Sequence, residues 1–377
     1  MGTAIETWRT GYVFGAALVA VLAAQWTVAA STVRAADSLT AAVRTAVEDP
    51  SGRDAAAFRR SSVRFEGLAT AERLPKAGDY LVEVAIGVGE RRLRYPCVVR
   101  RDRRGEWNVR WRPVRAYTSA LFRLASGGDL LTLQRSGGGG APGEWASRPR
   151  VPALPILLVD GAAILPTGRA RLGGAEGLEP ARSLRRAVST WTRRVGQRDD
   201  ALAAVDILAD EGATWRDLMT VLYAVSGTGV FRVNVVVGSG DGRLRVVRAA
   251  APVFGADRAR SLVVALDRSV GGRRALRVVL GAEQLAVDEP CAPGVSLCVS
   301  GVDAVSGDLR ALLEGARHPS VEHVVFAATA DVPLRLGLRY ALATAAGLGV
   351  DPGRLILSYV GARNRSGPSG REGGRDE

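Results

Sequence analysis

The chain has 377 residues, 47% hydrophobic and 24% charged, with 51 basic against 38 acidic side chains for a formal net charge of +13. That balance excludes collagen-like, wholly disordered and multi-span membrane classes. At about 100–200 residues per domain, the length asks for about two or three domains, each large enough to bury a core. Lys76 is the only lysine, a bias that fits codon usage in a GC-rich genome as well as it fits selection for an anionic ligand. Position is more informative, because residues 91–123 carry +9 of the +13.

After a short tail at 1–10, residues 11–30 (GYVFGAALVAVLAAQWTVAA) form an uncharged run of 20 between Arg9 and Arg34, with Trp8, Tyr12 and Trp26 near its ends. About 20 apolar residues cross a bilayer core, whereas signal-peptide apolar regions run to about 7–15. An uncleaved transmembrane anchor is the preferred expectation. A cleaved signal with small residues at Val28-Ala29-Ala30 stays open, since the run is Ala-rich. Either reading exports the bulk of the chain, as expected of a single-pass protein of the bacterial inner membrane facing the periplasm. Nucleic acid is then not an expected partner.

Residues 36–126 read as a small α+β domain, a helix plus an antiparallel sheet. Apolar positions Leu39, Ala42, Val43, Ala46 and Val47 share one helical face, and the period then changes to two. Leu81, Val84, Ile86 and Val88 form one strand-like run; Leu93, Tyr95, Cys97 and Val99 alternate, as do Trp107, Val109 and Trp111. Gly and charged residues in the breaks suit hairpin turns. A helix is expected at Arg115–Ala125. YLVEVAIGV, RRLRYPCVVRR and EWNVRWRP in this order resemble the NTF2-like, cone-shaped domains that often follow bacterial membrane anchors. Alternation should place Arg92, Arg94, Arg101, Arg103, Arg104, Arg110 and Arg112 largely on one face. That face is either plainly solvated or a binding surface for anionic lipid or cell-wall polymer.

Residues 127–150 contain SGGGGAPGE and no apolar period, so they read as a flexible linker. In the next segment, 151–248, PILLVDGAAILP predicts two strands about an Asp160-Gly161 turn. Helical spacing at 178–195 is followed by the strand ALAAVDILAD, the helix TWRDLMTVLYAVSGTG and the strand VFRVNVVVG. This order, from Ile156 to Val237, resembles the periplasmic domain of the ExbD/TolR family. Within 249–365, DLRALLEGA, VEHVVFAATADVPLRLGLRYALATAAGLG and RLILSYV repeat the order, with Thr214–Gly229 aligning on Val332–Gly347 at an offset of 118. Two ExbD/TolR-like α/β domains in tandem are therefore expected, followed by a disordered tail at 366–377. The overall fold class is multi-domain α+β behind a transmembrane helix.

The resemblance implies an inner-membrane motor-type partner of the ExbB/TolQ kind and a role in proton-motive-force-linked transport. A homodimer is left open. In that family a carboxylate within the membrane helix carries protons. Residues 11–30 contain none, only Gln25 and Thr27, so an accessory role acting through protein–protein contacts is expected instead of direct proton coupling. The competing reading is an anchored or secreted NTF2-like ligand-binding or enzymatic protein, and a third is a structural spacer.

Catalytic sets are hard to assemble from this sequence. The only histidines are His318 and His323, and no G-x-S-x-G elbow or Walker loop occurs. Asp199, Asp200, Asp206, Asp210 and Glu211 lack metal-loop spacing. No enzyme, metal or cofactor is expected. Cys291 and Cys298, separated by Pro293 and Gly294, are expected to close a local disulfide in an exported domain.

Overall fold

The computed structural model describes residues 39–47, 77–88, 91–126, 129–133, 153–172, 184–189, 204–226, 228, 230, 232–239, 244–249, 261–270, 273–280, 283–285, 295–315, 323–351 and 354–360. The expected anchor at 11–30, the tail at 366–377 and Cys291 lie outside these residues. No helix among the described residues is long and apolar enough to cross a membrane. Among the described residues the fold is mixed α/β with three sheets.

The proximal part begins with helix α1 (Leu39–Val47), which buries Leu39, Ala42, Val43 and Val47. Strands β1 (Gly78–Val88) and β2 (Arg91–Arg101) form a long antiparallel hairpin, and β3 (Trp107–Trp111) pairs with β2. The two-residue period in β2 has the expected consequence: Leu93, Tyr95, Cys97 and Val99 are all fully buried. Helix α2 (Arg115–Ser126) closes this part and buries Tyr117, Leu121, Phe122 and Leu124.

The middle sheet is built around β5 (Ala153–Val159), in which every residue is buried, as for a central strand covered on both faces. It turns through Asp160 and Gly161 into β6 (Ala162–Leu165), and then into β7 (Gly168–Arg171). Asp160 (φ 52°) and Gly161 (φ 64°) are both left-handed, the requirement of the tight turn that their sequence predicts. A helix at 184–189, α3, precedes β8 (Ala204–Ala209), α4 (Trp215–Val225), β9 (Arg232–Ser239) and β10 (Leu244–Ala249). Strands β5, β8 and β9 are parallel, and β10 returns antiparallel on β9. Thr214 starts α4 with a reciprocal cap, its Oγ1 accepting from Asp217 N while the Asp217 carboxylate accepts from Thr214 N at 2.9 Å. Such a cap contributes about 1 kcal/mol.

The distal part repeats this plan. Strand β11 (Ser261–Val270) forms a hairpin with β12 (Arg273–Leu280), which also carries β13 (Glu283–Leu285) and β14 (Leu297–Val299). Helix α5 (Val302–Gly315), β15 (His323–Ala328), α6 (Leu334–Leu348) and β16 (Ile356–Tyr359) follow, with β11, β15 and β16 parallel. Each unit is thus a hairpin whose first strand pairs in parallel with the strand after the first helix, and the register agrees: Ala153 faces Ala204 as Ser261 faces His323. The helix caps Thr214 and Pro333 are equivalent, which corrects the sequence offset of 118 by one residue.

These two caps face each other in an antiparallel bridge. Trp215 N donates to Val332 O and Leu334 N donates to Ala213 O, each at 2.8 Å. The reciprocity marks a local twofold relation between the units. One buried core contains residues of both, including Ile156, Ile207, Val235, Trp215, Val264, Phe326 and Leu338. The opposite face of the middle sheet, with Leu157, Val159, Leu208 and Val236, joins α1, α2 and the three-stranded sheet in a second core.

Residues 129–133, expected within the flexible linker, are instead an integral part of the middle sheet. Leu131 N donates to Ala209 O at 2.9 Å, its carbonyl accepts from Gly238 N at 2.8 Å, and β4 (Thr132–Leu133) pairs in parallel with β9. The physical reason is that Leu130, Leu131 and Leu133 are almost wholly buried, so the segment closes the gap where β8 and β9 diverge. Cys298, half-buried in β14, is disulfide-bonded, and Cys97 is a free, buried thiol.

Candidate functional site

The basic stretch folds into the β2–β3 hairpin. On β2, positions 92, 94 and 100 share the face opposite to the buried Leu93–Val99 row, where Arg94 stands opposite Ala85, and Arg100 opposite Asp79. Arg92 is placed by its backbone, opposite Gly87. Arg110 is exposed on β3. Arg101 departs from the outer face: beyond the irregularity between Val98 and Val99 it pairs with Trp107, and its guanidinium carbon lies 5.6 Å from that ring's centroid. A cation over an indole face is an attractive contact in its own right. Arg112, half-buried just beyond β3, lies near enough for its charge to act on both Cys97 and Tyr95.

The hairpin tip is rigid for its length. The Asp102 carboxylate accepts from Arg104 N at 2.8 Å and Glu106 N at 2.9 Å, and Asp102 N donates to Glu106 O at 3.0 Å. Gly105 takes φ 88°, a left-handed value that other residues adopt only with strain. This turn holds Arg103 and Arg104 exposed at the end of the sheet. Arg94, Arg100, Arg101, Arg112 and Arg115 engage in interactions within the chain. Arg100, Arg103, Arg104, Arg110 and Arg115 are thus exposed, with Arg103 and Arg104 together at the tip, while Arg101 is held against Trp107.

Inside the sheet, the chemistry is quiet. Burial, followed by the neighbouring Cys97, pushes the Tyr95 phenol up, against a hydrogen bond with Thr118 and the charge of Arg112. Burial likewise pushes the Cys97 thiol well up, with Arg112 opposing. A protonated, solvent-shielded thiol is a poor nucleophile.

A second polar group gathers at the carboxyl ends of β5 and β8. Asp160 N donates to the Asp210 carboxylate at 3.1 Å, and Arg123 of α2 bridges Asp160 at 3.0 Å and Asp129 at 3.9 Å. Glu211 accepts from Thr132 N at 2.9 Å and pairs with Arg335 of α6 at 3.5 Å. Burial raises the Asp210 carboxyl, partly offset by the Asp160 backbone donor. Asp206, from the same sequence cluster, is instead buried beneath the sheet surface and accepts from Asn234 Nδ2 at 2.9 Å. Asp199 and Asp200 lie outside the described residues, and no three metal-ligating side chains converge among the described residues. Sequence inspection missed both the Arg123 bridge and the Asp206–Asn234 pair. The only advance signal for the latter was a polar residue at the same step of two otherwise apolar parallel strands.

No family model matches the chain, and neither the curated proteins nor the solved structures contain a match.

Proposed function

We propose that the protein is a non-enzymatic, membrane-anchored envelope component of the ExbD/TolR kind, accessory to a proton-motive-force-linked transport or envelope complex and acting through protein–protein contacts. The observation that carries this reading is the doubled unit of hairpin, helix, strand, helix and strand, with matching register in both copies. Two such units joined as one body offer a surface for a partner assembly, while the buried thiol and the internally paired carboxylates offer no catalytic set among the described residues. The expected partner is an inner-membrane, multi-span motor protein of the ExbB/TolQ kind. The Arg103–Arg104 tip supplies a secondary contact to anionic lipid or cell-wall polymer.

Co-purification of the full chain from detergent-solubilised membranes is the test. Recovery of a stoichiometric multi-span partner, retained after crosslinking at the tandem, is the expected result. Recovery of the protein alone, free of membranes and carrying a small molecule, would favour an NTF2-like ligand-binding role instead.

A further inference from the structure

The two repeats differ at one sheet edge. In the first, β9 carries β10 along its outer side as an antiparallel strand, with Val233 opposite Ala249 and Val237 opposite Arg245. In the second, β16 takes the place of β9. Val360 N donates directly to Ala328 O at 3.0 Å, where the first repeat joins the equivalent Gly238 N and Ala209 O through Leu131. Beyond β16 no further strand stands among the described residues. Since Val360 N points at β15, strand alternation turns the N–H and C=O of Ser358 toward β15 as well, and those of Leu357 and Tyr359 outward. Trp215 of α4 shares the Ser358 carbonyl from the core side, so the helix covers a face of β16 and not its outer row of backbone groups.

An unpaired edge is a template for another strand, and proteins guard such edges with charge. The other strands that end the sheet orders carry this guard: β1 contains Asp79 and Glu83, β3 Arg110, β7 Arg169 and Arg171, β10 Arg245 and Arg248, and β13 Glu283. The three-residue β14 beside β13 is held by the Cys298 disulfide. In contrast, β16 reads Ile356-Leu357-Ser358-Tyr359, without a charge. Residues 361–377, GARNRSGPSGREGGRDE, lack the alternating apolar side chains that a covering strand needs. In the first repeat that strand is apolar on both faces, Val247 and Ala249 joining one core and Val246 the other. A second β16 meets the same requirement, with Leu357 and Tyr359 on one face and Ile356 on the other.

We propose that β16 pairs antiparallel with β16 of a second copy of this chain, about a twofold axis at Ser358, and so joins two distal sheets edge to edge. The register follows from the outward groups, which must meet one another. Leu357 exchanges both backbone hydrogen bonds with Tyr359 of the second copy, and Ser358 faces Ser358 in the closer, non-hydrogen-bonded position, about 4.5 Å between Cα atoms. Identical strands usually suffer from like charges placed opposite each other, and an uncharged β16 avoids this. The pairing depends on strand chemistry alone and stands apart from the envelope reading.

Sedimentation velocity of the full chain in detergent provides the test. The parent should dimerise, Ser358→Asp and Ser358→Lys should each weaken the dimer about fivefold or more, and mixing the two variants should restore association as a heterodimer. Restoration on mixing separates a charge effect at the axis from damage to the fold. Ser358→Cys should crosslink two chains under mild oxidation, read on a non-reducing gel; Cys97 is buried and Cys298 already disulfide-bonded, so the new thiol is the reporter. A parent that stays monomeric, whether its edge is bare or taken by another protein, overturns the proposal. So does a dimer unchanged by Ser358→Asp and Ser358→Lys, a mixture no more associated than either variant alone, or a Ser358→Cys chain that does not crosslink.

Discussion

The indole of Trp215 donates from Nε1 to the backbone carbonyl of Ser358 at 2.7 Å, tying the first helix after β8 to the last strand of the other repeat. The same ring meets Phe326 edge-on at 5.6 Å between centroids. It also fills the space above Gly337, where a Cβ would lie 2.5 Å from the Trp215 ring. Trp215→Ala should therefore cost about 3–5 kcal/mol. Trp215→Phe, which keeps the ring and strands a carbonyl, should cost about 1–3 kcal/mol. Gly337→Ala should destabilise by about 1–3 kcal/mol through overpacking. Urea unfolding of the single and double variants checks this: combining Gly337→Ala with Trp215→Leu should cost less than the sum of the two, and strict additivity would show that the ring does not set the limit at Gly337.

The pair Asp206 and Asn234 lies at matching positions of adjacent parallel strands, 2% and 1% exposed. Asn234→Asp would place two buried carboxylates side by side, and both cannot remain ionised there. The variant should be several kcal/mol less stable than the parent at pH 7 and should regain much of the loss near pH 4–5. Denaturation midpoints at the two pH values provide the comparison.

The Asp210 carboxyl titrates above its ordinary range because burial disfavours its charge. A carboxyl with a raised folded value contributes stability when protonated, below its unfolded value, and that contribution is lost as pH rises through the folded value. Asp210→Asn keeps an acceptor for Asp160 N but removes this titration. Relative to the parent, the variant should gain stability between about pH 4 and pH 7. An unchanged difference across that range would mean that the Asp160 donor outweighs burial.

Cys97 should resist thiol reagents in the native protein at pH 8, since burial holds its thiol protonated. With Cys298 disulfide-bonded, denaturation without reductant should expose one thiol, and denaturation with reductant all three cysteines. A chromogenic thiol assay reads both numbers. Rapid native labelling would show that the second core opens on the timescale of the reagent.

Replacing Arg101, Arg103 and Arg104 with Ser should reduce sedimentation with anionic liposomes and cell-wall sacculi at low salt, while Arg103→Ser with Arg104→Ser should account for most of the effect. The reason is geometric: Arg101 is held against Trp107, and the other two are exposed at the tip. High salt should abolish the difference. Equal binding by the parent and the triple variant at low salt would remove the tip as a contact.

Local signals were the legible part of this fold. Asp160-Gly161 announced its turn, the alternation at Leu93–Val99 announced a half-buried strand, and the expected helix at Arg115–Ala125 stands at Arg115–Ser126. The illegible part depended on partners distant in sequence. Leu130, Leu131 and Leu133 sit beside a Gly-rich run, so they read as linker, and only the divergence of β8 and β9 makes a place for them. Trp215 and Ser358 meet because the two repeats pack together, which neither local pattern contains. The one-residue error in the repeat offset has a similar origin, since the repeats agree in hydrogen-bond register and not in residue identity.

The reciprocal bonds at Thr214 and Pro333 join segments that belong to one chain but need not do so. Two molecules could exchange their second repeats and rebuild the same bridge, with Ala213–Trp215 of one meeting Val332–Leu334 of the other. The connection between Ala249 and Ser261 therefore acts as the arbiter of valency: while it spans the two repeats it keeps the local concentration of the matching repeat high, and shortening it until it no longer spans them would shift the balance toward an intertwined dimer.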